Sequence, residues 1–150
     1  MRRVSRAAGV LATAAVTLLV GCVPTARTAG PYSAKAVRTA EAVHSALASD
    51  LLVVRSLRRH HTTAAYVSVA TSAAEDDGSA AASTFLAIQP PDDQSEQLRD
   101  ELSDLLDAAE SALGDTRIAS RRGDRGAVLA SVDALTKAAA DLDHFAQAHS

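Results

Sequence analysis

The chain has 150 residues, of which 47% are hydrophobic and 3% aromatic, and its formal net charge is −3 at pH 7. This acidic balance argues against general nucleic-acid binding. The apolar residues are mainly alanine, leucine and valine, and alanine has the highest helix propensity, whereas sheets are enriched in β-branched and aromatic residues. We therefore predict an all-α protein.

The first 21 residues have the build of a secretory signal. Three arginines precede an apolar run over residues 7–20, as in the positive and apolar regions of such signals. A retained transmembrane helix needs about 20 apolar residues, and this run is shorter and contains two threonines. Removal of residues 1–21 leaves 129 residues with 12 basic and 18 acidic side chains, a net charge of −6. That length suffices for one domain.

The segment Leu19-Val20-Gly21-Cys22 closes this signal and contains the only cysteine of the chain. It resembles the lipobox of bacterial lipoproteins. The resemblance implies that a diacylglyceryl group is attached to Cys22, that the chain is cut just before it, and that its fatty acyl chains, such as palmitate, anchor the protein. An ordinary cleaved signal with an incidental cysteine is the alternative. The composition is similar to that of lipoproteins of high-GC Gram-positive bacteria, which implies the outer face of the cytoplasmic membrane. In a Gram-negative source, Val23 would imply the outer membrane.

Residues 22–32 contain two prolines and a glycine without apolar periodicity, which predicts a short tether before a helical domain over residues 33–150. Ser33 is the expected N-cap of the first helix, which should end between residues 59 and 61. Its apolar stripe has spacings of three and four: Val37, Ala40, Val43, Leu47, Leu51, Val54 and Leu57.

A second helix is predicted after Thr62 or Thr63 and should stop before Pro90, because proline disfavours helix in the preceding residue. Its predicted buried side comprises Val67, Ala70, Ala74, Ala81, Phe85 and Ile88. The acidic segment 75–79 contains Gly78, so a kink or split there is the alternative to one continuous helix.

The third helix should begin at Asp92 and Asp93, where negative charge suits the helix dipole, and end at Gly123 as its C′ residue. Its predicted stripe is Leu98, Leu102, Leu105, Ala109, Ala112, Ile118 and Ala119. A fourth helix has the stripe Val128, Val132, Leu135, Ala139, Leu142 and Phe145 or Ala146. Four helices of about 25 residues with short turns predict an antiparallel up-down-up-down four-helix bundle roughly 35–40 Å long.

A metal site is the sharpest enzymatic hypothesis. Glu41 and His44, and likewise Asp141 and His144, have the i, i+3 spacing of di-iron bundles. The helical phase places Asp141 and His144 opposite the apolar stripe, so we predict no metal and no cofactor. The sequence also lacks an EF-hand pattern, a nucleophile elbow and a phosphate-binding loop. We therefore predict that the protein is not an enzyme.

Arginines concentrate at the two turns that the predicted bundle places at one end. We call this set the arginine pole: Arg55, Arg58, Arg59, Arg117, Arg121, Arg122 and Arg125. The tether enters at the opposite end, so the arginine pole should be membrane-distal. Helix capping by cations is the simpler explanation.

The leading functional prediction is a non-enzymatic binding or accessory module whose arginine pole contacts an anionic wall polymer or an acidic protein. One alternative is a small-ligand or metal-binding bundle that uses the interior near His44. Another is a self-associating structural lipoprotein. The sequence leaves the oligomeric state open.

Overall fold

The computed structural model describes residues 28–150, which are all-α. They form five helices: α1 (Ala29–Arg58), α2 (Ala64–Leu86), α3 (Asp93–Arg121), α4 (Arg125–Ala130) and α5 (Val132–Ala148). The predicted signal and Cys22, the predicted lipidation site, lie outside the described residues. Within residues 28–150, no helix has the length and apolarity that crossing a membrane requires.

The first helix begins earlier than predicted, at Ala29 instead of after Ser33. Pro31 does not prevent this, because the first amides of a helix need no intrahelical acceptor. The extra turn buries Tyr32 completely, and its ring lies 5.3 Å from that of Phe85 near the end of α2. The predicted N-cap at Ser33 is therefore wrong, and residues 29–32 belong to the helical domain.

The C-terminus of α1 closes with a Schellman motif, in which the backbone reverses through a left-handed residue. The amide of His61 donates to the carbonyl of Ser56 at 3.0 Å, and the amide of His60 donates to that of Leu57 at 3.1 Å. His60 has a φ of 58°, so an L-residue occupies a position at which glycine is usual.

Both ends of α3 agree with the sequence prediction. Asp92 is the N-cap, and its Oδ1 accepts a hydrogen bond from the Ser95 amide at 2.8 Å, which lowers the pKa of the Asp92 carboxyl. At the other end Gly123 has a φ of 67°, and the Asp124 amide donates to the Ala119 carbonyl at 3.0 Å. The helix stops where a left-handed glycine is available.

The second helix is continuous through Gly78, so the predicted alternative of a split there is wrong. Thr63 caps its start by accepting from the Tyr66 amide at 3.2 Å. Gly78 is buried where α2 meets α1 and α3: a Cβ atom on it would lie 2.9 Å from Cδ1 of Leu113 and 3.8 Å from Cβ of Ala46. Close helix packing explains this glycine.

The predicted fourth helix is divided at Ser131 into α4 and α5. The Ser131 hydroxyl donates to the carbonyl of Val128 at 2.8 Å. Serine side chains compete with helical geometry through local hydrogen bonds of this kind. Helical hydrogen bonds nevertheless continue on both sides of Ser131: its amide donates to the Ala127 carbonyl at 3.1 Å, and its carbonyl accepts from the Leu135 amide at 3.0 Å.

The core lies between α1, α2, α3 and α5, and most members of the predicted stripes are buried, whereas single members are displaced by one position. In α2, Thr71 and Ala82 are buried where Ala70 and Ala81 were expected. In α3, Leu106 is buried beside a half-buried Leu105. The largest fully buried side chains are Tyr32, Phe85, Phe145, Leu47, Leu102, Leu106, Leu113, Leu135, Leu142, Val43, Val54 and Val67.

Contacts between helix ends define the neighbours at the end where α1 begins. Arg99, near the start of α3, donates from Nη2 to the Leu86 carbonyl at the end of α2, 2.9 Å away. Nε2 of His149 lies 3.4 Å from a carboxylate oxygen of Glu101. The starts of α1 and α3 therefore lie beside the ends of α2 and α5.

Candidate functional site

The two arginine-bearing turns meet at one end of the domain. Nη2 of Arg125, at the start of α4, donates a hydrogen bond to the carbonyl of Leu57, in the last turn of α1, at 2.7 Å. The Leu57 carbonyl, which also accepts from the His60 amide, thus gains a cationic donor at a helix C-terminus. The start of α1 lies about 45 Å away along its 30 residues.

The members of the arginine pole are not equivalent in their surroundings. Arg117 is half-buried and forms an ion pair with Glu75, so it links α3 to α2. Arg125 is tied to Leu57. Within residues 28–150, no ion pair or side-chain hydrogen bond occupies the remaining guanidinium groups, which are exposed: Arg55, Arg58, Arg59, Arg121 and Arg122.

Asp124 is the acidic residue nearest to these arginines in sequence, and its side chain is engaged in a hydrogen bond with the backbone. Oδ1 of Asp124 accepts a hydrogen bond from the Ala127 amide at 2.9 Å and so caps α4. The carboxylate therefore serves a helix start, and its neighbours Arg121 and Arg122 remain turned to solvent. The surface around both turns has an excess of positive charge.

A small cleft of about 130 Å³ lies between the two turns. Its apolar side is formed by Leu57, Val67 and Val128, and its polar rim includes Thr62 and Arg125. Pockets for drug-sized ligands have volumes of about 300–1,000 Å³. The cleft is therefore smaller than pockets that enclose drug-sized ligands.

The structure does not assemble metal ligands around His44. This side chain is half-buried on α1, whereas Glu41 is exposed. On α5, Asp141 pairs with Lys137 at 2.5 Å, and His144 is exposed. Across residues 28–150, no group of three or more His, Cys, Asp or Glu side chains has an arrangement that could hold a metal ion.

Sequence reasoning missed Asp50, which is completely buried in α1. Neither carboxyl oxygen has a hydrogen-bond partner, and burial raises the pKa of Asp50 from 3.8 to about 7. A signal was available in the sequence: Asp50 follows Leu47 by three residues and precedes Val54 by four, so the apolar stripe of α1 passes through it. The carboxyl is best accommodated in its neutral form.

Other buried polar groups lie at the height of Asp50. Gly78 packs against Ala46, so in the opposed α2 the turn that contains Ala74 and Thr71 reaches the level of Asp50. Oγ1 of Thr71 and Oγ of Ser120 are 2.9 Å apart in the interior. This section of the core therefore contains polar atoms from three helices.

The fold thus defines the class as all-α, and the comparisons add no narrower assignment. No family model matches the chain, and neither the curated proteins nor the solved structures give a match. The function must therefore be argued from the surfaces and side chains of this domain.

Proposed function

We propose that this chain is a lipid-anchored extracytoplasmic helical protein that acts as a non-enzymatic binding or accessory module. The arginine pole is its contact surface for an anionic partner, an anionic wall polymer or an acidic protein. The observation that carries the proposal is the hydrogen bond from Arg125 to Leu57, which joins the two arginine-bearing turns. Guanidinium groups bind carboxylates and phosphates in a bidentate manner, which favours arginine over lysine on such surfaces.

An antiparallel up-down-up-down bundle supports this assignment. Tyr32 against Phe85 and Arg99 against Leu86 pair helix starts with helix ends, as that topology requires. The arginine pole then lies at the end farthest from the start of α1, and therefore far from a lipid on Cys22. Both turns are positioned to meet a partner beyond the membrane surface.

Helix capping does not account for the whole cluster. Cations stabilise helix C-termini, and α1 and α3 end at the arginine pole, but α2 and α4 begin there, and their dipoles disfavour nearby cations. Capping explains Arg125, whose guanidinium binds a terminal carbonyl. Arg58 and Arg122 are exposed at the same end, so we assign them to the partner.

We assign no catalytic step to the domain. The carboxyl whose pKa is raised most, that of Asp50, has no exposed surface. A general acid must come within hydrogen-bond distance of its substrate. In this arrangement Asp50 belongs to the core.

The test is in-cell cross-linking of the full anchored chain followed by mass spectrometry, comparing the native protein with the double variant Arg58→Glu and Arg122→Glu. The matched control is Arg38→Glu with Lys137→Glu, which changes the net charge equally on helix surfaces away from the arginine pole. We expect the first pair to lose a partner that the control pair keeps.

A second measurement separates charge from geometry. Purified full chain is titrated with a soluble polyphosphate, and Arg58→Lys with Arg122→Lys is compared with the glutamate pair. Binding that falls with rising salt and is lost only in the glutamate pair indicates an electrostatic contact. Equal partners and equal binding for all variants would contradict the proposal.

A further inference from the structure

A second surface, which shares Arg55 and Arg59 with the arginine pole, carries three large exposed apolar side chains. Leu52 on α1 is 63% exposed, and Tyr66 and Val69 on α2 are 59% and 70% exposed. All three line a groove of about 480 Å³ between α1 and α2, whose floor includes Ala46 and Ala74. We call this surface the α1–α2 patch. Contiguous apolar patches of this kind commonly mark interaction sites.

The α1–α2 patch has opposite charges at its two ends. Arg59, the C-cap of α1, comes seven residues after Leu52, which places it about 10 Å toward the arginine pole. Asp76 follows Val69 by seven residues in α2, which places it about 10 Å in the other direction, since α2 runs away from that end. Arg55 adds positive charge at the basic end, and Asp77, which lines the groove, adds negative charge at the acidic end.

Two copies of this charge distribution complement each other when a suitable two-fold axis relates them. A two-fold axis that crosses the α1–α2 patch at right angles to the helices superposes the patch on its copy and reverses the helix direction. The basic end of each patch then lies over the acidic end of the other, with Leu52 and Val69 near the axis. A two-fold axis parallel to the helices would instead bring the arginines of both copies to the same end, where like charges repel.

We propose that the α1–α2 patch is the interface with a second copy of this chain, packed antiparallel. The same surface serves both partners, as a two-fold interface requires. Arg58, Arg121 and Arg122 stay outside it, so the dimer does not require a ligand on the arginine pole. The two copies of α1 begin at opposite ends of the pair, so the arginine pole of a paired chain lies beside the start of the other copy's α1, whereas that of an unpaired chain is membrane-distal. The dimer and the membrane-distal arginine pole are therefore alternative states of the anchored chain.

The first test is disulfide formation in membranes that contain the full chain. Val69→Cys places a thiol near the two-fold axis, so oxidation should give a covalent dimer. Ala108→Cys is the matched control, because Ala108 is also exposed and lies on α3, outside the α1–α2 patch. Dimer formation no greater than that of the control would overturn the proposal, and so would capture of a different protein in place of a second copy.

The second test determines the direction of packing. Copies with Arg59→Cys and copies with Asp76→Cys are produced together and treated with a bis-maleimide about 10 Å long. The antiparallel dimer predicts a mixed cross-link, whereas Arg59→Cys alone should not link to itself, since those positions lie about 20 Å apart along the helices. Self-linking at residue 59 would contradict the antiparallel arrangement.

A charge exchange completes the test. Arg59→Asp alone and Asp76→Arg alone should each weaken the Val69→Cys cross-link, whereas the two together should restore it. Circular dichroism of each variant checks that helicity is unchanged. Loss of this dimer with retention of the arginine-pole partner, or the reverse, would tell the two proposals apart.

Discussion

His60 and Gly123 occupy the same position in two helix ends that lie together. Each is the left-handed C′ residue of a Schellman motif, with φ values of 58° and 67°. A left-handed conformation costs an L-residue about 1–2 kcal/mol relative to glycine. One of these neighbouring helix ends therefore has the favourable residue and the other carries strain.

This relationship predicts opposite effects of exchanging the two residue types. His60→Gly should raise the free energy of unfolding by up to about 1 kcal/mol, because relief of strain exceeds the added freedom of the unfolded chain. Gly123→Ala should lower it by about 1 kcal/mol. Urea unfolding of both variants measures the difference, with Gly30→Ala as the control at an uncrowded glycine of ordinary φ. A loss of stability in His60→Gly would refute the explanation.

Gly78 should resist enlargement more than its neighbours in α2. Gly78→Val should lower the free energy of unfolding by about 1–3 kcal/mol, because the new side chain overlaps Leu113. Ala80→Val, at an exposed position of the same helix, should cost only the difference in helix propensity, about 0.5 kcal/mol. Thermal unfolding compares them. The double variant Gly78→Val with Leu113→Ala should lose less free energy of unfolding than the sum of the two single variants, because the new valine occupies the space that Leu113 vacates.

The stability of the domain should fall as the pH rises from about 4 to 7. The folded-state pKa of Asp50 is raised from 3.8 to about 7, so in this interval the folded chain holds a proton that the unfolded chain has released. The free energy of unfolding then falls by at most about 1.4 kcal/mol per pH unit and levels off above the folded pKa. Urea unfolding across this range measures the slope.

The same pH series on Asp50→Asn isolates the group responsible. This variant should show a flatter profile and higher stability than the native chain at pH 8, because no charge is then buried. Asp133→Asn, at an exposed position of α5, should keep the native slope. An unchanged slope in Asp50→Asn would show that Asp50 does not control it.

Replacement of Arg125 and replacement of Arg122 should affect the stability of the domain differently, although both residues belong to the arginine pole. Arg125→Ala removes the hydrogen bond to Leu57 and should lower the free energy of unfolding by about 1 kcal/mol, the usual net value for such a bond. Arg122→Ala should stay within about 0.5 kcal/mol of the native value, as is usual for exposed sites. Urea unfolding measures both, and equal losses would contradict the structural role of Arg125.

Tyr32→Phe should stabilise the domain. The Tyr32 hydroxyl is buried without a hydrogen-bond partner, and burial raises the pKa of that hydroxyl. Removal of an unsatisfied polar atom should raise the free energy of unfolding by about 1 kcal/mol, while the ring keeps its contact with Phe85. Thermal unfolding measures this gain in stability. The control Tyr66→Phe, at an exposed ring, should leave the free energy of unfolding unchanged.

The helices themselves were predictable because their caps and breakers are strong local signals. Thr63, Asp92 and Gly123 stand where the sequence places them. The phase of α2 was not predictable, since alanine occupies buried and exposed positions alike, and Thr71 is buried where Ala70 was expected. The start of α1 depends on the tertiary contact of Tyr32, which no local pattern contains.

The candidate sites were likewise predictable only in part. The adjacency of the two arginine-bearing turns followed from helix lengths, because alternate turns of a bundle share an end. The different states of Arg117 and Arg125 depend on single side-chain contacts across long sequence separations. The exposure of Leu52 and Val69 was also hidden, since their residue types indicate burial.

The buried carboxyl of Asp50 makes folding a reaction with a proton among its reactants. Near pH 5.5, between 3.8 and about 7, each chain that folds takes about one proton from the buffer. The heat of unfolding measured by calorimetry should then depend on the ionisation enthalpy of the buffer, and acetate and imidazole should give different values for the same protein. A membrane surface that is locally acidic would favour the folded domain without touching it.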